Sequence, residues 1–290
     1  MISPPASLLD RLMTSKLTPA RARATVGIGE RSSAIKGSGM EFVDHRPYRE
    51  GDDTRHLDAY VLARTGDTVI RQYAQSRQLP VTILLDASGS MNTGNKSGMA
   101  AQIAQVLGYV ALAGGDRLQI VASQSRGLRW SQRWQGGARA REMFQWVAEQ
   151  SSQGEGNYAE ALRQVMEHLP RTGMLILISD WWDPGVRNAL GPISSAGHEV
   201  IAFQILAPEE REPERLGEGV LTVVDAETDE TVLVSLDAET IRRYAALCAE
   251  RQRALETRFS DLQWTFFSID SDSDLNELVL RTLRMKGVLS

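Results

Sequence analysis

The chain has 290 residues, 42% hydrophobic and 24% charged, with a formal net charge of −5. This is the composition of an ordinary globular protein with a substantial core, and its acidic balance argues against nucleic acid as the main partner. A single cysteine, Cys248, excludes an internal disulfide; its spacing with Ile241, Tyr244 and Ala245 puts it on an apolar helix face as a core residue, in a reducing, cytoplasmic setting.

Residues 1–36 carry six Lys or Arg against two acidic groups. They lack the apolar run of a secretory signal. Leu8, Leu9, Leu12 and Met13 recur at helical spacing, so a short basic helix followed by a solvated linker is expected. No aromatic residue is interleaved with these charges, which removes a stacking platform for single-stranded nucleic acid. Residues 37–78 are a second unit, dense in both signs of charge. Pro47 and Gly51 punctuate turns, and Val69–Tyr73 alternates like a half-exposed strand. Arg46, Arg49, Asp52, Asp53, Arg55 and Asp58 are expected to form an ion-pair network that packs this unit on the main domain.

Residues 79–290 read as one α/β domain. After Pro80, Val81–Leu85 has the composition of a strand buried on both faces. At its end Asp86, Ser88 and Ser90 offer only oxygen, which suits a hard cation such as magnesium, manganese or calcium and not zinc. Ser97–Gly115 contains no charge, but it is barely long enough to span a membrane and carries Gln102 and Gln105. A buried helix over Ser97–Ala113 explains it better. Arg117–Ser123 and Gly127–Trp134 then read as paired strands, Ala138–Gln150 and Tyr158–Leu169 as helices, and Ser151–Asn157 as a polar loop. Gly173–Asp180 repeats the opening design, an apolar strand that ends in a carboxylate, and Glu199–Leu206 is a third such strand. A hairpin (Gly219–Val224 with Thr231–Leu236), a helix over Ala238–Phe259, a strand over Leu262–Ile269 and a helix from Asp274 complete the pattern. Alternation of this kind predicts a mostly parallel sheet covered on both faces.

Asp86-Ala-Ser88-Gly-Ser90 resembles the first motif of the metal-ion-dependent adhesion site of von Willebrand factor A domains. Gly39–Asp53, Ala63-Arg-Thr-Gly66 and Arg71-Gln-Tyr73 resemble the signature of a bacterial family known as domain of unknown function number fifty-eight. That likeness runs from about Gly27 to the C-terminus. It implies a doubly wound, von Willebrand factor A-like (Rossmann-like) sheet preceded by a family-specific N-terminal segment. It also implies a non-enzymatic interaction module whose partner is a MoxR-type AAA+ ATPase or its client, because family members are typically encoded beside such ATPases. The resemblance carries metal ligands onto Asp86, Ser88, Ser90 and Asp180, with magnesium or manganese as the cation. In such sites the serines bind the ion directly and the aspartates act through water. The threonine of the second motif falls on Gly156, and Asn157 beside it replaces that ligand only if its amide oxygen points inward. A threonine at position 156 is then expected to strengthen the site. An ion held by mostly neutral direct ligands keeps an open position for a partner's carboxylate. Trp181 and Trp182 follow Asp180 and are expected at the rim as partner contacts, one of the pair turned inward.

The enzymatic alternative is a nucleotide-binding P-loop over Gly89–Ser97, which lies between a strand and a helix as required. Asn95, however, separates Gly94 from Lys96 and puts the lysine out of register with a phosphate cradle. Gly154-Glu-Gly156-Asn-Tyr-Ala159 imitates a dinucleotide fingerprint but follows a helix, not a strand. There is no G-x-S-x-G elbow, and His45, His56, His168 and His198 lack metal-type spacing.

Overall fold

The computed structural model describes residues 3–19, 40–75, 78–170, 172–226, 228 and 230–290. The chain divides into two compact units, residues 28–78 and residues 1–27 with 79–290. The linker expected before residue 37 lies outside the described residues. In chain order the main elements are α1 (Ala6–Leu12), β1 (Met40–Pro47), α2 (Ala59–Thr65), β2 (Val69–Gln75), β3 (Pro80–Asp86) and α3 (Lys96–Ala113). There follow β4 (Arg117–Gln124), β5 (Gly127–Trp130), β6 (Trp134–Gln135), α4 (Ala140–Ala148), α5 (Tyr158–His168) and β7 (Met174–Ser179). The last are α6 (Val186–Ser195), β8 (Glu199–Leu206), α7 (Pro208–Arg211), β9 (Gly219–Val224), β10 (Thr231–Leu236), α8 (Ala238–Asp261) and β11 (Thr265–Asp270).

In the smaller unit β1 and β2 pair antiparallel, with a register shift between Phe42 and Asp44. Asp58 caps α2 by accepting from the Tyr60 and Val61 amides, at 2.9 and 3.3 Å. Its other oxygen lies 2.8 Å from both His45 Nε2 and Arg71 Nε. The Arg71 guanidinium and the His45 ring hold this carboxyl well below the usual range. The expected charge network resolves into local pairs: Arg46 grips Asp52 at 2.7 and 2.6 Å, Arg55 pairs with Asp53 at 2.7 Å, and Arg49 contributes only its backbone amide to Asp52.

The larger unit is built on a seven-stranded sheet in the order β11-β8-β7-β3-β4-β5, with β6 also on β4. β3, β4, β7, β8 and β11 are parallel, whereas β5 and β6 run antiparallel to β4. Counted from β3 as the first strand, the sheet reads 3-2-1-4-5-6, the doubly wound order. This is the mostly parallel, von Willebrand factor A-like α/β architecture that the resemblance implies. Alternate residues of each central strand feed opposite layers. Val81, Ile83 and Leu85 join the core beneath α1, α3 and α4, together with Met174, Ile176 and Ile178. Leu84, Leu175 and Leu177 pack with residues of α5, α6 and α8 on the other face. α3 lies buried along most of its length, as a helix without a charged face must.

Four features differ from expectation. The expected short N-terminal helix forms as α1, but Leu8, Leu12 and Leu17 belong to the main core and Leu17 bridges to Leu289, so this segment is part of the larger unit and not apart from it. The expected strand Gly127–Trp134 splits because Ser131 takes the Ile120 amide onto its side chain at 2.9 Å, interrupting the ladder between β5 and β6. Helix α6 has no counterpart in the sequence reading, since Pro192 lies in its interior. Cys248 is only partly buried and lines a surface groove instead of the core. Among the described residues no helix is long and apolar enough to cross a membrane.

Candidate functional site

β3 and β7 are neighbours at the point where the strand order reverses, and there the carboxyl ends of a doubly wound sheet open a crevice. Asp86 is the last residue of β3 and Asp180 the first after β7, so both carboxylates stand at this edge. Both are buried. Asp86 Oδ1 accepts from the Ser88 amide at 3.0 Å and Oδ2 from the Ser179 hydroxyl at 2.6 Å. Burial, followed by the nearby Asp180 charge, pushes the Asp86 carboxyl up from 3.8 to about 6. Ser88 Oγ and Ser90 Oγ lie 3.0 Å apart and hydrogen-bond each other.

Asp180 is committed elsewhere. Its Oδ1 accepts from the Trp182 amide at 3.1 Å, and its Oδ2 accepts from Lys96 Nζ at 2.9 Å. Lys96 is the first residue of α3 and its side chain is 1% exposed. Its ammonium also donates to Glu210 Oε1 at 2.8 Å. Burial pulls this amine's pKa down, but the Asp180 and Glu210 carboxylates outweigh it and hold the pKa above its usual value. Glu210 comes from α7, immediately after β8, and anchors its other oxygen on the Ala207 amide at 2.7 Å. The lysine of the alternative P-loop reading is thus spent on two carboxylates. The Gly89–Asn95 segment itself is a pair of short turns broken at Thr93-Gly94, and nothing favours a nucleotide there.

The second-motif loop also differs from expectation. Asn157 points its amide oxygen at its own helix, accepting from the Glu160 amide at 2.8 Å as the cap of α5, and so does not supply an inward ligand. Gly156 is hemmed in: a Cβ there would run into the Ser88 side chain, so a threonine would displace a serine instead of adding a ligand. Gly89 is equally restricted, by the Ala226 carbonyl from the β9–β10 turn. With the Lys96 ammonium on Asp180 and the Asn157 amide oxygen turned to α5, the site as arranged does not fit a divalent ion. Among the described residues no group of three or more His, Cys, Asp or Glu is arranged to hold a metal.

The turn after Asp180 sets the outer surface. Trp181 has a left-handed backbone (φ 63), a conformation that costs a bulky residue about 1–3 kcal/mol and persists only where its surroundings enforce it. Here the Ser179 hydroxyl accepts the Trp181 amide at 3.0 Å, and the indole donates to the Phe203 carbonyl at 2.9 Å. The ring packs edge-on against Tyr158 and Phe259. At 1% exposure Trp181 is the member of the pair turned inward, a core residue that offers nothing to a partner, so the contact role falls to Trp182 alone. The reversal turns Trp182 outward, where Arg251 covers its ring at 4.7 Å and donates to the Trp181 and Trp182 carbonyls at 2.8 and 2.7 Å. Asp183 secures the other end of this loop, accepting from the Ala159 amide at 2.9 Å at the start of α5.

Trp182 forms one wall of a groove of about 610 Å³ between α6 and α8, which Val186, Leu190, Tyr244, Leu247 and Leu255 also line. Tyr244 and Leu247 are 40% and 58% exposed. Two lining residues hold buried donors without partners, Trp182 Nε1 and Arg258 Nε. Sequence reasoning did not single out Lys96 as an ion-pair centre, nor Ser179, Asp183, Glu210, Arg251 or Arg258. Glu210 lies 114 residues from the lysine it meets, and no local spacing announces that contact.

The sequence model of the family described as Protein of unknown function DUF58 matches residues 44–255. The uncharacterized protein Rv1480 of Mycobacterium tuberculosis is 27% identical over 294 residues, covering 98% of this chain and 92% of that protein. Among solved structures, the conserved hypothetical protein BatB from Bacteroides thetaiotaomicron superposes with a TM-score of 0.44 at 13% identity, over 72% of this chain and 98% of its own. The SpRpn10 VWA domain superposes with a TM-score of 0.38 at 8% identity, over 68% and 91%.

Proposed function

The chain belongs to the DUF58 family, and from that premise we propose that it is a non-enzymatic protein-interaction module whose partner is a MoxR-type AAA+ ATPase or that ATPase's client. The family resemblance supplies the class of partner. The observation that carries the docking role is the groove between α6 and α8, with its apolar walls, the half-buried Trp182 under Arg251, and the exposed Tyr244 and Leu247. The groove thus suits a polypeptide segment that inserts an apolar side chain between α6 and α8. Tryptophan and arginine are also the residues that dominate interface energetics.

The test is binding of the purified chain to a purified MoxR-type ATPase from the same organism, by calorimetry or sedimentation. Leu247→Glu puts a charge on the apolar wall and is expected to weaken binding at least about tenfold, the scale of one interface hot spot. Met285→Glu, at a 78% exposed position outside the groove lining, is expected to change nothing. Binding that ignores Leu247→Glu moves the interface off the groove, and no binding to the ATPase by the intact chain removes that partner.

A further inference from the structure

We propose that the Lys96 ammonium stands in the place of a divalent cation at the carboxyl edge of the sheet, so that the chain neutralises its own acidic cluster and takes up magnesium or manganese only when this lysine is removed. The inference goes beyond the interaction reading and needs no partner for its test.

Two carboxylates at this edge meet the ammonium, Asp180 after β7 and Glu210 from α7 after β8, and Asp86 at the end of β3 stands beside them. Asp86 accepts from the Ser179 hydroxyl and the Ser88 amide, and the Ser88 and Ser90 hydroxyls bond each other nearby. Asp180 is buried and the Glu210 side chain only 18% exposed, so this pair of carboxylates needs a positive charge. The charge present is the ammonium, 2.9 Å from Asp180 and 2.8 Å from Glu210. Its location is otherwise unfavourable. Lys96 opens α3, and a helix N-terminus repels cations, while burial at 1% exposure strips the ammonium of water. Only the carboxylates account for a lysine at that position. A lysine serving stability alone would leave, once removed, a site indifferent to metal. A lysine that replaces a cation would leave one that recruits it.

The full chain, freed of metal with a chelator, is titrated with manganese and magnesium, with bound manganese counted by loss of its free spin-resonance signal and folding followed by thermal unfolding. Wild-type protein is expected to show neither saturable binding nor a shift in Tm. Lys96→Gln is expected to melt lower in chelator, to bind one manganese ion with a dissociation constant of roughly 0.1–1 mM or tighter, and to recover Tm on doing so. Adding Asp180→Asn to that variant is expected to abolish the binding. Saturable binding by wild type that Asp86→Asn removes overturns the proposal, because the lysine and the ion would then coexist. A folded Lys96→Gln that neither binds manganese nor gains Tm overturns it as well. Should Lys96→Gln fail to fold in chelator, refolding on addition of millimolar manganese supports the proposal and failure to refold overturns it.

Discussion

Asp86 lacks the direct cationic partner that Asp180 has. The ammonium of Lys96 bonds Asp180 and Glu210, and the oxygens of Asp86 are left with a backbone amide and a hydroxyl. The fold therefore favours its acid form. Its contribution to stability is complete below the ordinary value of 3.8 and is lost as pH rises through about 6. Asp86→Asn removes the titration while keeping the shape. Relative to that variant, wild-type protein in chelator is expected to lose on the order of 2 kcal/mol between pH 4.5 and 7.5. Urea unfolding of both proteins at the two pH values measures this. A difference between them that stays constant across the window would mean that Asp86 ionises in the folded protein as it does in the unfolded chain.

The parallel strands were legible because each is an apolar run of β-branched and aliphatic residues that stops at a polar turn. Val81–Leu85, Met174–Ser179 and Glu199–Leu206 lie within a residue or two of where their composition puts them. The two aspartates at the site edge were legible for the same reason, since strand direction fixes which end a trailing carboxylate occupies. The loops between these elements were less so. Pro192 hid α6, and nothing in Asp180-Trp-Trp-Asp reveals that the first tryptophan takes a left-handed turn and inverts the two faces. Asn157 illustrates the difficulty at one residue, for the same amide oxygen serves equally as a metal ligand or as the cap of α5, and only its direction decides. Read as a cap, Asn157→Ala should cost about 1 kcal/mol in chelator. It should also leave the manganese affinity of Lys96→Gln unaltered. A loss of manganese binding with no loss of stability would return Asn157 to the ligand set.

At the scale of the whole molecule, the unit that carries the site is closed by both chain ends. Thr18 donates to the Val288 carbonyl at 3.0 Å, Ser290 donates to the Lys16 carbonyl at 3.1 Å, and Leu8, Leu12 and Leu17 sit in one core with Val288, Leu289 and the apolar side of α3. A basic N-terminal stretch reads from composition as a helix and linker apart from the main domain, because charge density reports the exposed face of a short helix and says nothing of what the opposite face meets. α1 buries Leu8 and Leu12 while Met13, next along the chain, is 61% exposed. This placement matters to the site, since α1 packs on α3, the helix whose first residue is Lys96. Leu12→Ala opens a cavity at a position with 0% exposure and should cost about 2–5 kcal/mol in denaturant unfolding, with the loss felt throughout the larger unit. Met13→Ala, at the solvent face, should stay within about 0.5 kcal/mol. Equal and small effects for the two would mean that α1 detaches without consequence, and that the core beneath α3 is complete without it.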